Sequence, residues 1–328
     1  MLQTKVMARV LTGIQSTGIP HLGNLLGAII PTIEMSRQDD NEVFSFIADM
    51  HSLTGIKDGA VIRENTYAVA ATWLAFGIDI EKNVFYRQSD VPEVTELAWY
   101  LNCFMPFNRL QLAHSFKDKS DRASEVNAGL FSYPMLMAAD ILLYDAEIVP
   151  VGKDQKQHLE FTRDVAGRVN HQYGEVFTIP DISLNGKAMY VPGVDGQKMS
   201  KSYGNTVNIF LPDKQLRKVI MKILTDEKGL EDVKDPETCT VFTLYALLAN
   251  EAQIKQMEQN YAGGNYGYGH AKQELFELII EKFAKERAKY NELMDNKALL
   301  DEQLAIGAKK ARETAKVTLK RIRAVLGY

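Results

Sequence analysis

Cysteine is nearly missing from this chain. Two thiols, Cys103 and Cys239, stand among 328 residues. That is too few for a disulfide framework, a zinc knuckle or a cysteine-bound iron–sulfur cluster. It fits a reducing compartment, where a thiol is usually a small buried apolar group. Long apolar runs are missing too: none reaches the roughly 18 residues a membrane-spanning helix needs. The opening MLQTKVMARVLTG lacks the basic, apolar and small-residue succession of a signal peptide. Neither sign of charge dominates. With 38 basic and 42 acidic residues the formal net charge is −4, which argues against indiscriminate polyanion binding but leaves room for a local basic surface. These absences predict a cytoplasmic protein that is not held in a membrane. The 46% hydrophobic and 24% charged content supplies an ordinary globular core, and the length predicts two domains or one with a helical appendage.

Short apolar runs alternate with helical patterns through the first two thirds. ARVLTGI at 8–14, VFSFIAD at 43–49, VFYRQSD at 84–90 and EIVPV at 147–151 read as core strands. Helices are predicted from Leu22, over 63–77, within 123–144 and from about Asp154 to Val169. ISLNGKAMY at 182–190 reads as a hairpin turning at Asn185-Gly186. The alternation predicts an α/β fold: a doubly wound parallel sheet with its crevice at the carboxyl ends of the strands. Beyond about Leu211 no core strand is evident, and 272–294 and 302–326 carry long helical patterns. The predicted division is therefore 1–207, with a helical connecting segment at about 104–140, and an all-helical 208–328.

Three segments carry chemistry. GIQSTGIPHLGNLLG at 13–27 follows the first strand and opens the first helix. Unpaired N–H groups at a helix start attract phosphates, Gly23 lets a flat base approach, and His21 can donate to phosphate oxygens. The bland alternative is a helix-capping histidine beside a turn glycine. KMSKS at 198–202, flanked by Gly193, Gly196 and Gly204, is a hinged loop with two lysines that can close on a triphosphate and neutralise departing pyrophosphate. The third segment, YPMLMAADILLY at 133–144, is apolar except for Asp140. A carboxylate there either ties the fold together or is held to accept a hydrogen bond from a ligand. Gly152 and the polar Asp154, Gln155 and His158 crowd the end of the fourth predicted strand.

The first two motifs together resemble those of class I aminoacyl-tRNA synthetases, His-x-Gly-His and Lys-Met-Ser-Lys-Ser, with Asn24 where the second histidine often stands. YPxLMAADILLY, VGxDQKQHxExTRD and GxxYGYGxxK (Gly263 to Lys272) resemble the tryptophan-specific members, and the resemblance runs from about residue 8 to the end. It implies a Rossmann-type catalytic domain, a helical anticodon-binding domain, a homodimer, and ATP–Mg²⁺, tryptophan and tRNA as substrates. Carried over by motif, it implies that His21, Asn24, Lys119, Lys198 and Lys201 act in catalysis, and that Gln15, Gly23, Gly152, Asp154, Met199 and Ser200 also contact ATP. Asp140 would accept from the indole N–H, with Met137 and Val151 lining the ring pocket. Tyr133, Gln155 and Gln15 would hold the ammonium group, and Asp49 and His51 would form a polar pair beside it.

Two further features bear on partners. The stretch Cys103 to Phe107 is the predicted pairing surface. From Lys309 to Arg323 the last helix carries seven basic residues (Lys309, Lys310, Arg312, Lys316, Lys320, Arg321, Arg323) against Glu313, a pattern that is usually only a solvated face. The rival readings are a tyrosine-specific ligase, a nucleotidyltransferase, which would lack KMSKS, and a non-catalytic tRNA-binding paralogue.

Overall fold

The computed structural model describes residues 8–113, 126–152, 155–181 and 190–328. The hairpin expected at 182–190 falls, but for Tyr190, outside them. Three parallel strands, β1 (Ala8–Gln15), β2 (Asn41–Ala48) and β3 (Val84–Arg87), pair in the order β1-β2-β3, with Val10 opposite Val43 and Phe44 opposite Val84. Val43, Phe44, Ser45, Phe46 and Ile47 are all buried, so β2 has no solvent face. That is why it reads as an unbroken apolar run rather than an alternating one.

The fourth strand expected at 147–151 is corrected, among the described residues, to isolated parallel bridges: Ile148 pairs with Val10 on one side and with Asp181 on the other. Pro150 has no N–H to extend a ladder. The order across the sheet is then β3, β2, β1, Ile148, Asp181. This is the doubly wound arrangement, and its switch point lies between β1 and the Ile148 segment.

The helix expected from Leu22 forms in three pieces: α1 (Leu22–Asn24), a π segment (Leu25–Ile29) and α2 (Ile30–Ser36). Pro31 cannot donate to the preceding turn, and the Ile30 N–H reaches back to Leu25 O, so the ladder slips by one residue there. Helix α3 (Gly59–Ala75) starts four residues earlier than expected because the Asp58 side chain accepts from the Ala60 and Val61 N–H groups. Next come α4 (Glu93–Phe104), α5 (Ala128–Leu142) and α6 (Lys156–Tyr173). Beyond residue 212 the described chain is helical: α7 (Asp213–Met221), α8 (Thr240–Ala246), α9 (Glu251–Gly263), α10 (Tyr268–Lys282), α11 (Ala284–Asp295) and α12 (Lys297–Leu326).

The helical region shares its core with the sheet. Trp73, Phe85 and Leu25 belong to one buried cluster with Val241, Leu275 and Leu300. Helix α12 crosses β3 so closely that a Cβ on Gly307 would lie 1.7 Å from Phe85 O. Its basic residues explain the docking. Lys310 donates to Ile80 O and Glu81 O, Arg312 pairs with Glu93, Arg321 with Asp145 and Arg323 with Glu96. The basic face is therefore largely an intramolecular seam, while Lys309, Lys316 and Lys320 stay exposed. No helix among the described residues is long and apolar enough to cross a membrane.

Candidate active site

A cavity of about 720 Å³ opens at the carboxyl end of β1 and the segment following Ile148, where a doubly wound sheet takes its ligands. Its floor depends on a missing side chain. A Cβ on Gly13 would lie 2.5 Å from the Phe46 ring, so only glycine lets that ring lie beneath the strand.

The turn after β1 supplies one end. His21 precedes α1, and its Nδ1 accepts from the Asn24 N–H at 3.3 Å while Asn24 Oδ1 accepts from the His21 N–H at 3.2 Å. The capped histidine also lines the cavity. Burial first, then the charge of Lys201, lowers the His21 pKa to about 4. The ring is therefore neutral at pH 7, and with Nδ1 accepting, its proton sits on Nε2. Asn24 is committed to the cap through Oδ1. Another helix-start donor, the Gly23 N–H, points at Met199 Sδ at 3.3 Å.

The KMSKS loop lies across the mouth. Lys198, Ser200 and Lys201 line the cavity, and Met199 is buried beneath it. Lys201 Nζ donates to Gly18 O at 2.7 Å, and burial lowers its pKa to about 8. Sequence reading missed what sets the loop. Buried Asn205 accepts from the Ser200 N–H at 2.7 Å and donates to Lys198 O at 3.1 Å and to Asp195 Oδ1 at 2.7 Å. Gly193 makes room for that amide, since a Cβ there would lie 2.3 Å from Asn205 Cγ.

Helix α5 supplies the opposite wall. Tyr133, Met137, Asp140 and Ile141 share one face by helical spacing, and all line the cavity. Asp140 is buried. Gln88 Nε2 donates to its Oδ1 at 3.0 Å and its Oδ2 at 2.8 Å, and His51 Nε2 lies 3.2 Å from Oδ2. Burial raises the Asp140 pKa, and these partners oppose the rise. Tyr133 is fixed by an oxygen–nitrogen contact of 2.5 Å with His158 Nε2.

Of the residues the motifs singled out, Gln15, His21, Gly23, Asn24, His51, Tyr133, Met137, Asp140, Val151, Gly152, Gln155, Lys198, Ser200 and Lys201 line this one cavity. Asp49 does not. Its carboxylate turns to Ser89, accepting from that residue's N–H at 3.0 Å and Oγ at 2.5 Å. Lys119 and Asp154 lie outside the described residues. Gly27, Ala28 and Thr32 were missed although they too line the cavity. The signal was present, since Gly27 follows Gly23 by one helical turn.

Comparison with known proteins identifies the family. The family model described as tRNA synthetases class I (W and Y) matches residues 3–284. A tryptophan–tRNA ligase of Rhodopirellula baltica is 48% identical over 96% of this chain and 98% of its own. One of Campylobacter jejuni is 46% identical over 97% and 99%. A crystal structure of tryptophanyl-tRNA synthetase from Campylobacter jejuni complexed with ADP and tryptophan superposes with a TM-score of 0.93 at 46% identity, covering 98% of this chain and all of that one. A family match across most of the chain, near-complete relatives and a site assembled from the family's own motifs lead to one conclusion: the chain belongs to the class I tRNA synthetases of the W and Y type.

Proposed function

We propose that the chain is a tryptophan–tRNA ligase, which activates tryptophan with ATP and passes it to tRNA. One observation carries the reading: a single cavity has a buried carboxylate, Asp140, on one wall and a helix start with His21, Lys198 and Lys201 at the other end. The apolar pocket around Met137 and Val151 suits an indole, and Asp140 suits its N–H. Gln15, Tyr133 and Gln155 suit an ammonium group.

The amino acid's carboxylate attacks the α-phosphorus of ATP in line. A new O–P bond forms, and the bond to pyrophosphate breaks. No protein base is needed, because the carboxylate is already ionised at pH 7. The protein contributes position and charge. Neutral His21 donates through Nε2–H, and Lys198 and Lys201 take up charge on the leaving pyrophosphate; the first N–H groups of α1 are already paired, Leu22 with Val207 O and Gly23 with Met199 Sδ. ATP enters as its magnesium complex. The terminal adenosine hydroxyl of tRNA then attacks the acyl carbon, and AMP leaves.

In the same reading, 208–328 bears the anticodon contacts. Two chains pair through the exposed apolar surface around Trp99, Cys103, Phe107 and Leu112. ATP–pyrophosphate exchange with tryptophan, tyrosine and phenylalanine tests the central claim. Exchange stimulated by tryptophan far above the other two is expected, and exchange led by tyrosine would overturn it.

A further inference from the structure

The family motifs leave Gln88 unused. Sequence reading placed it inside a strand running to Asp90, but β3 stops at Arg87, and Gln88–Asp90 form a tight turn instead. Two contacts hold that turn: Ser89 donates to Asp49, and Arg87 pairs with Asp90 at 2.8 Å. The turn sends Gln88 inward, where it is 1% exposed. Its Nε2 donates to both oxygens of Asp140, and its buried Oε1 has no hydrogen-bond partner among the described residues. Leaving an amide oxygen unpaired is costly, yet the flipped amide would set Oε1 against the carboxylate oxygens. The orientation makes sense only if the amide serves an ionised Asp140.

A carboxylate offers about four acceptor positions. Gln88 takes one on each oxygen, and His51 takes one on Oδ2. The remaining position is on Oδ1, and Asp140 is among the residues that line the cavity. The titratable groups around Asp140 are His51 and Asp49 from the turn after β2, Tyr86 of β3 and Tyr144 beyond α5.

We propose that Gln88 is a positioning residue for side-chain recognition: by donating to both oxygens of Asp140 it keeps that carboxylate ionised and aims its one open acceptor position at the ring N–H of the bound amino acid. The inference rests on the reading above, in which Asp140 receives that N–H. Selectivity for an N–H-bearing ring then depends on a residue that never touches the substrate.

The test uses the full-length protein and pyrophosphate exchange. Gln88→Met keeps the side chain's length and removes its donors. Losing a hydrogen bond to a charged group should raise the KM for tryptophan about ten- to hundredfold. The KM for ATP, kcat at saturating tryptophan and the weak phenylalanine reaction should stay near their wild-type values. Gln88→Glu sets two carboxylates side by side, which together hold one proton with a raised apparent pKa. While that proton is present the pair mimics the wild type. As pH rises and the proton leaves, tryptophan KM should climb, whereas the wild-type value stays flat over the same range. A packing role alone would not produce that pH profile.

An unchanged KM and preference in a folded Gln88→Met overturns the proposal, and so does a flat profile in Gln88→Glu. If Gln88→Met does not fold, the Gln88→Glu profile decides. Asp140→Ala separates the two levels. If it keeps the full preference for tryptophan, the reading of Asp140 fails. If it loses the preference while both Gln88 variants keep it, only the role of Gln88 fails.

Discussion

His21 should make the protein's stability depend on pH in a window that can be calculated. In the folded chain its pKa is lowered from 6.5 to about 4, first by burial and then by Lys201. Between those values the unfolded chain binds a proton that the folded chain refuses. Stability is therefore highest above about pH 6.5 and falls as the pH drops toward 4. A gap of about 2.5 units corresponds to about 3 kcal/mol at full titration. The ring is 7% exposed, so solvent does little to weaken the effect. The perturbation is His21→Asn, because asparagine can cap α1 as the histidine does but does not titrate. Urea unfolding of both proteins from about pH 8 to about pH 4.5, with the two stabilities subtracted at each pH, cancels all other titrating groups they share. The wild type should lose about 2–3 kcal/mol relative to the variant across that range, mostly below about pH 6. A difference that stays flat with pH would mean that the imidazole ionises as easily in the fold as in water.

Other expectations follow from the same geometry. Burial lowers the Lys201 pKa to about 8, so kcat/KM for ATP should fall as pH rises through about 8, and Lys201→Arg should remove that alkaline limb of the pH–rate profile. Asn205→Ala strips the latch from Ser200, Lys198 and Asp195. It should slow adenylate formation in single-turnover kinetics and cost about 1–3 kcal/mol in thermal unfolding; unaltered single-turnover rates would show that the loop needs no latch. Gly307→Ala forces a methyl group against Phe85 O. It should destabilise by about 1–3 kcal/mol or more and speed hydrogen exchange across α12, whereas native-like protection there would mean that the helix does not rest on β3.

The family motifs were legible because each packs its chemistry into neighbouring residues. HLGN needs a strand before it and a helix start within it, and local propensity supplies both. Around KMSKS the flanking Gly196 and Gly204 take positive φ, which glycine allows without strain. On α5 a period of 3.6 brings Tyr133, Met137 and Asp140 to one face without any tertiary information. The buried parallel strands announced themselves as apolar runs, since both their faces are covered.

What the chain could not reveal alone are contacts between segments far apart in sequence. Nothing near Gln88 says that it meets Asp140 52 positions later. Nothing near Asp49 says that it serves Ser89 rather than the cavity. The basic face of α12 looks the same in the sequence whether it meets solvent, tRNA or the carboxylates of Glu93, Glu96 and Asp145. The fourth strand reads as a strand because its residues favour one, yet among the described residues it forms isolated bridges, Ile148 with Val10 and with Asp181, and no ladder. In each case the sequence determines what a side chain can do, whereas the tertiary fold determines which distant group it does it to, because hydrogen bonds and ion pairs form only at contact distance.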